Sequence, residues 1–135
     1  MKTFPLKVVT PDGLEFDGPA TELVVRTTSG DMGIMAGHVN CVAPLGMGRA
    51  LVVTEEGRRT AACIGGILSV LNGEVRLVPT TFEWADEIDV QRADNAEARA
   101  RQILSNRDAS DVEIRLAEAR LKRALVRKSV ATGSR

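Results

Sequence analysis

The residues best able to do chemistry in this chain are four arginines in its last third. Arg92 and Arg99 stand seven positions apart, and Arg123 and Arg127 four apart. On a helix either spacing puts both guanidinium groups on one face. Other basic residues have an acid three or four positions away: Arg101 has Glu97, Arg115 has Asp111 and Glu118, Lys122 has Glu118, and Arg107 has Asp111. Such pairs read as solvated surface bridges. Arg92 has only Asp89, which is suited to another task, and Arg99, Arg123 and Arg127 have no acid at that spacing. If two helices carrying these pairs fold back on each other, three or four planar, permanently charged forks converge, which is the chemistry that grips a polyanion. Arg120 and Lys128 lack neighbours of opposite sign as well. A polyanion site and a set of merely solvated cations therefore both remain open on spacing alone.

Other reactive side chains point to less. His38, the sole histidine, lies near Cys41, and Cys63 is the other thiol. A thiol nucleophile or a metal set would need paired ligand spacing, and two cysteines with one histidine in no such pattern read as core thiols and a surface imidazole. The segment Gly30-Asp31-Met32-Gly33 reads from its residues as a turn. The basic run from Arg120 to Lys128 has no aromatic residue to stack on bases, and its apolar stripe is needed for packing. An acidic protein partner suits it better than nucleic acid or an anionic membrane.

The elements that must position these groups change character between Glu83 and Ala93. Before that stretch, apolar runs of four to six residues are broken by Gly, Pro, Asn and Asp, the pattern of half-buried strands. These runs are Leu6 to Thr10, Leu14 to Asp17, Glu22 to Thr27, Leu51 to Thr54, Thr60 to Ile64, Leu68 to Leu71 and Glu74 to Val78, with a Gly-rich loop over Thr28 to Asn40. Asn72-Gly73 supplies the two positive φ values of a type I′ hairpin turn. Turn signals at this spacing predict a small sandwich or flattened barrel. From Asp89 to Lys128 there is neither Gly nor Pro. Asp89 is placed as an N-cap, and Ser110 with Glu113 has capping-box spacing. Ala93, Ala96, Ala100, Ile103 and Leu104 form one stripe, and Ile114, Ala117, Leu121, Ala124 and Leu125 another. A link as short as Arg107 to Ser110 makes the helices antiparallel. At about 25 cal/mol per Å² of buried apolar surface, alanine stripes hold such a hairpin only loosely.

The chain of 135 residues carries 18 basic and 18 acidic side chains. The balance is uneven, with 7 basic against 11 acidic residues up to Ile88, and 11 against 7 from Asp89 on. A neutral total argues against nucleic acid binding by the whole chain. No apolar run is long enough to span a membrane. No signal peptide is expected ahead of the first strand, and two irregularly placed cysteines suit a reducing, cytoplasmic compartment.

Ile88-Asp89-Val90-Gln91-Arg92-Ala93 matches the I/L-D-x-x-R-A motif of epsilon subunits of bacterial F-type ATP synthases. It is accompanied, in order, by Val9-Thr10-Pro11-Asp12-Gly13, Gly30-Asp31-Met32-Gly33-Ile34 leading to Gly37-His38, Gly65-Gly66-Ile67-Leu68-Ser69-Val70, and Leu121-Lys122-Arg123-Ala124. Over nearly its whole length the chain resembles that family, departing where Met35-Ala36-Gly37-His38-Val39-Asn40 replaces Leu-Pro-Gly-His-x-Pro. The resemblance implies a mainly β, α+β architecture: a ten-stranded β-sandwich over residues 1–86, then a regulatory antiparallel two-helix hairpin over 87–135. It implies a non-catalytic rotor subunit of a proton-translocating synthase, peripheral on the cytoplasmic face of the bacterial membrane. Its partners would be the gamma subunit, the membrane c-ring and the catalytic alpha and beta subunits, and its extended hairpin would inhibit ATP hydrolysis. Asp31 and His38 would lie in the partner contact. No cofactor or metal is required, but some members bind ATP in the folded hairpin, and the positions concerned match here as Glu83, Ile88, Asp89, Arg92, Ala93, Arg99, Arg123 and Arg127. In that reading the arginines hold phosphates, and Glu83 or Asp89 meets the adenine or ribose edge of a sensed, unhydrolysed ligand. The competing reading from the residues is a free-standing sandwich that binds a ligand, or acts on one, through its Gly-rich loop.

Overall fold

A computed structural model describes residues 1–133 of the chain, so the last two residues of the expected helical part lie outside the described residues. Contacts divide the chain into two compact units, Met1–Trp84 and a second beginning at Ala85. The first holds eight strands: β1 (Phe4–Thr10), β2 (Gly13–Ala20), β3 (Glu22–Thr27), β4 (Gly30–Ile34), β5 (Cys41–Pro44), β6 (Met47–Thr54), β7 (Gly57–Leu71) and β8 (Glu74–Trp84). They hydrogen-bond in the order β2-β1-β8-β7-β6-β3-β4, with β5 also on β7.

Eight strands stand where ten were expected, because β7 and β8 are long and each serves twice. Residues 67–70 of β7 pair with β5 on one side, residues 67–71 pair with residues 74–78 of β8 on the other, and β8 there pairs in parallel with β1. Residues 57–64 of β7 pair instead with β6, and residues 61–64 of them also with residues 81–84 of β8. Between the halves Gly65 and Gly66 have φ of +68° and +99°, a left-handed conformation that lets the strand turn from one layer into the other. Counted by layer there are five segments in each, and both contribute to one buried cluster that includes Leu6, Val8, Leu23, Val25, Ile34, Val52, Leu68 and Leu77. Thr60 to Ile64 and Leu68 to Leu71, which read as two strands in the sequence, are thus one strand.

The expected Gly-rich loop from Thr28 to Asn40 is also corrected. Gly30, at φ +118°, closes a tight turn after Thr28 and Ser29, and Gly30–Ile34 then pairs with β3 as strand β4. A short turn does remain, where Gly37 has φ +86° and the His38 N–H donates to the Met35 carbonyl at 3.2 Å. Asn40, at a departure from the family pattern, takes the Asn72 N–H on its Oδ1 at 2.8 Å. Asn72 and Gly73 have φ of +51° and +83°, as their hairpin turn requires.

The second unit begins with a single 3-10 turn, Ala85–Glu87, and continues as α1 (Val90–Leu104) and α2 (Asp111–Thr132). Asp89 caps α1, its Oδ1 accepting the Arg92 N–H at 3.0 Å. Ser110 and Glu113 form the reciprocal capping box of α2, with both bonds at 3.1 Å. The donated Ser110 N–H holds the Glu113 carboxyl below its ordinary range. Gly133, left-handed at φ +72°, caps the C-terminal end of α2. Ala93, Ala100, Ala117 and Ala124 are buried, whereas Leu125, expected in the stripe, is 42% exposed.

Candidate functional site

Lys128 fixes how the two helices lie against each other. Its Nζ, near the C-terminal end of α2, is 2.9 Å from Asp94 Oδ1 and 2.8 Å from Glu97 Oε1 near the start of α1, so the pair is antiparallel. At about 100° per residue, Asp94 and Glu97 lie on one side of the Ala93–Ala100 stripe, and Arg92 and Arg99 on the other. On α2 the same step puts Arg123 and Arg127 on the side of the Ala117–Ala124 stripe away from Lys128. With Lys128 meeting the acidic flank of α1, the opposite flank of the hairpin gathers Arg92, Arg99, Arg123 and Arg127. Arg92 and Arg99 are exposed and Arg123 and Arg127 half-buried. Arg123 Nε leans back on the Ala119 carbonyl at 3.4 Å, and Arg127 has a partner of its own.

The remaining expected ligand positions fall differently. Ile88 and Ala93 are buried at 9% and 3% exposure, so their side chains serve packing. Asp89 is exposed, but one of its oxygens is committed to the cap. Glu83 belongs to the other unit, on β8 opposite Ala62, half-buried and already engaged by a partner. Lys128, which has no acid at helical spacing in its own helix, is engaged across the hairpin by two acids of the other helix.

Of the two residues expected at a partner contact, one lies on β4 and the other just after it. Asp31 is on that strand and forms an ion pair with Arg26 of β3, Nε to Oδ1 at 2.8 Å, with both side chains more than half exposed. His38 sits in the following turn, its ring Nδ1 2.8 Å from the Val39 carbonyl. Burial pushes the Cys63 thiol up to about 12, which removes it as a nucleophile at neutral pH. No three His, Cys, Asp or Glu side chains among the described residues are grouped to hold a metal. With residues 30–34 paired as a strand, the Gly-rich segment is no open ligand loop.

A surface that the sequence did not disclose crosses the outside of one layer. Leu14 pairs with Val9, the parallel register that joins Val8 to Leu77 carries Val9 alongside Val78, Val78 pairs with Ile67, and Ile67 with Pro44. All five point away from the core, forming an apolar row over five strands, with Leu14 60%, Ile67 49% and Val78 47% exposed. Val42, on the same face of β5, is 71% exposed. Contiguous apolar surface of this kind marks a docking face. Its signal in sequence is weak, since each of these strands shows only one or two outward apolar residues. Among the described residues no helix is long and apolar enough to cross a membrane.

Comparison with known proteins agrees with this two-unit layout. Residues 3–85 match the ATP synthase delta/epsilon chain beta-sandwich domain, and residues 86–132 the delta/epsilon chain long alpha-helix domain. The chain is 40% identical over 132 residues to the ATP synthase epsilon chain of Ruminococcus albus, covering 97% of this chain and 98% of that one. It is likewise 40% identical over 131 residues to the epsilon chain of Bacillus pumilus, with 97% and 98% covered. Among solved structures, a chain of the Euglena gracilis mitochondrial ATP synthase, in an OSCP/F1/c-ring assembly, superposes with a TM-score of 0.78 at 25% identity, over 89% of this chain and 76% of that one. A chain of the Tetrahymena thermophila central stalk and c-ring shares the fold at 12% identity, with a TM-score of 0.67 over 96% and 97%.

Proposed function

The chain belongs to the epsilon family of ATP synthase subunits, and from that premise we propose that it is a non-catalytic rotor subunit of a proton-translocating synthase, peripheral on the cytoplasmic face of a bacterial membrane. The observation that carries the reading is the match along both units, since a likeness confined to the sandwich would leave the helices unexplained. The sandwich docks on the gamma subunit through the apolar row Leu14, Val9, Val78, Ile67 and Pro44. The β4 end, with Asp31 and His38, meets the c-ring. The hairpin, when it opens, extends its basic α2 toward acidic surface on the alpha and beta subunits and inhibits hydrolysis.

The arginine flank supports a further role for the closed hairpin as an ATP sensor. Arg92, Arg99, Arg123 and Arg127 share one flank, and a triphosphate there relieves their mutual repulsion, on the order of 1 kcal/mol per close pair in a well-solvated setting. Asp89 has one oxygen left for a ribose or adenine edge. Ile88 and Ala93 would form the packed floor. A ligand bound only by the closed form stabilises it by about 2.7 kcal/mol at a hundredfold excess over its Kd, enough to govern an interface made of alanines. ATP is sensed and not hydrolysed.

Two measurements test this. Added to an ATP synthase head stripped of its epsilon subunit, the protein is expected to bind stoichiometrically and slow hydrolysis, while showing no turnover alone; turnover by the isolated chain would overturn the rotor reading. In a thermal titration with ATP the wild type is expected to shift saturably and Arg92→Ala to lose most of the shift. Equal shifts in both would remove the assigned site.

A further inference from the structure

The alanine stripe is a weak fastener, and the charged chain beside it has the geometry of a strong one. Lys128 Nζ bridges two carboxylates of the other helix at 2.8 and 2.9 Å. Glu97 is shared in turn, its Oε2 taking Arg101 Nε at 2.8 Å while Oε1 takes Lys128. Arg101, Glu97, Lys128 and Asp94 therefore alternate in sign along one continuous line. Because Arg101 already orders the Glu97 side chain from its own helix, the cross-helix bond is made at a smaller entropic cost than an isolated surface pair. The Glu97 and Lys128 side chains are only 18% and 34% exposed, so solvent screens them less than an ordinary surface bridge. The Lys128 carbonyl also accepts the Thr132 Oγ1–H at 2.8 Å, tying the bridge to the last turn of α2, the part of a helix that frays first.

We propose that Lys128, held by Asp94 and Glu97, is a clasp that keeps the C-terminal segment of α2 on α1 and sets how readily the hairpin opens. It lies on the flank opposite the four arginines. It therefore acts without occupying the polyanion side, and the two fastenings add: the ligand bridges one flank while the clasp fixes the other. The pKa directions agree with a bond that is made in full at neutral pH. Hydrogen bonding by Lys128, then by Arg101, holds the Glu97 carboxyl below its ordinary range, and hydrogen bonds to Glu97 and Asp94 hold Lys128 above its own. The consequence for inhibition, that a weaker clasp makes a stronger inhibitor at a given ATP concentration, rests on the reading of the hairpin given above; the clasp itself does not.

Amide hydrogen exchange on the full chain without nucleotide tests it, with residues 121–132 as the reporter and the sandwich strands as an internal control. Lys128→Met keeps the aliphatic stem and removes the charge; Lys128→Arg keeps the charge. Exchange in 121–132 is expected to rise about fivefold in Lys128→Met and to stay near wild type in Lys128→Arg, with the sandwich unchanged in both. In 1 M salt, where the screening length is about 3 Å, the wild type is expected to move toward Lys128→Met while that variant hardly responds. Equal exchange in wild type and Lys128→Met, or equal acceleration in Met and Arg variants, would overturn the clasp. A second arm separates the regulatory consequence: Lys128→Met that exchanges faster yet inhibits the synthase head no more strongly would leave the clasp standing and sink its link to inhibition.

Discussion

Asp89 has one carboxylate and two demands on it. Its Oδ1 is spent on the Arg92 N–H at the start of α1, and the sensor reading asks its other oxygen to meet a ligand. Substitution separates the two. Asp89→Asn keeps an equally good cap but loses the charge, while Asp89→Ala loses both, at about 1 kcal/mol of helix stability. Urea unfolding followed by far-UV circular dichroism is expected to destabilise the hairpin only in the alanine variant, and ATP titration to weaken in both. Wild-type ATP binding by Asp89→Asn would confine this residue to capping. Protonation acts on the clasp through both of its charged ends. The Glu97 carboxyl is depressed, so its stabilisation is complete above the ordinary carboxylate value and is lost as pH falls through the depressed one. Lys128 is raised, so its contribution is complete below the ordinary lysine value and lost only above the raised one. Exchange protection of residues 121–132, corrected for intrinsic rates, is therefore expected to be flat across the neutral range and to fall only below the ordinary carboxylate range. A step near the histidine range would point to another group.

At the scale of elements, the bent pair β7 and β8 decides whether the sandwich forms. Gly66 has φ +99°, and a Cβ there would drive into the Val78 carbonyl and come within 2.6 Å of Pro79 Cα. Gly66→Ala thus meets backbone, which cannot rotate away as a side chain would, and it adds left-handed strain. Loss of at least about 2 kcal/mol is expected, checked by thermal unfolding; a change within error would mean the bend is made elsewhere. The outer row of the same pair carries a different prediction. Ile67→Glu replaces an exposed residue, so folding is expected to be unchanged. Assembly with the gamma subunit is expected to weaken by tenfold or more, because a charge is then desolvated against an apolar partner. Pull-down with purified gamma subunit and a parallel melting curve decide it, and undiminished capture by a folded variant would move the docking face off this row.

The whole molecule is two units of opposite charge, net negative through Ile88 and net positive from Asp89 on. All the strands that build the sandwich core precede Ala85. A chain ended after Asp86 is therefore expected to fold, to join the rest of the central stalk and to support coupled synthesis, while losing inhibition of hydrolysis. Insolubility or failure to assemble would show that the helices are needed to complete the sandwich. Trp84, T-shaped against Phe82 at 4.9 Å and covered by the Arg59 guanidinium at 3.7 Å, offers a fluorescence report that the end of β8 stays in place in the shortened chain.

Local features were legible in the sequence because local physics specifies them. The Asp89 cap, the Ser110–Glu113 box and the Asn72–Gly73 turn each rest on residues within four positions of one another, and each forms as the pattern requires. Alternation of apolar residues likewise announced the strands, and the alanines the buried seam. Tertiary structure decided what depends on residues far apart. Whether Ile64 and Ile67 belong to one strand or two turns on which neighbours each half of β7 finds, and the sequence shows only two glycines between them. The stretch from Gly30 to Ile34 looks like a loop until β3 is there to pair with it. Lys128 looks unpartnered within its own helix because Asp94 and Glu97 reach it only after the chain has turned back. The apolar row from Leu14 to Pro44 exists only across strands, since hydrogen-bond register, and not sequence separation, is what sets its members side by side.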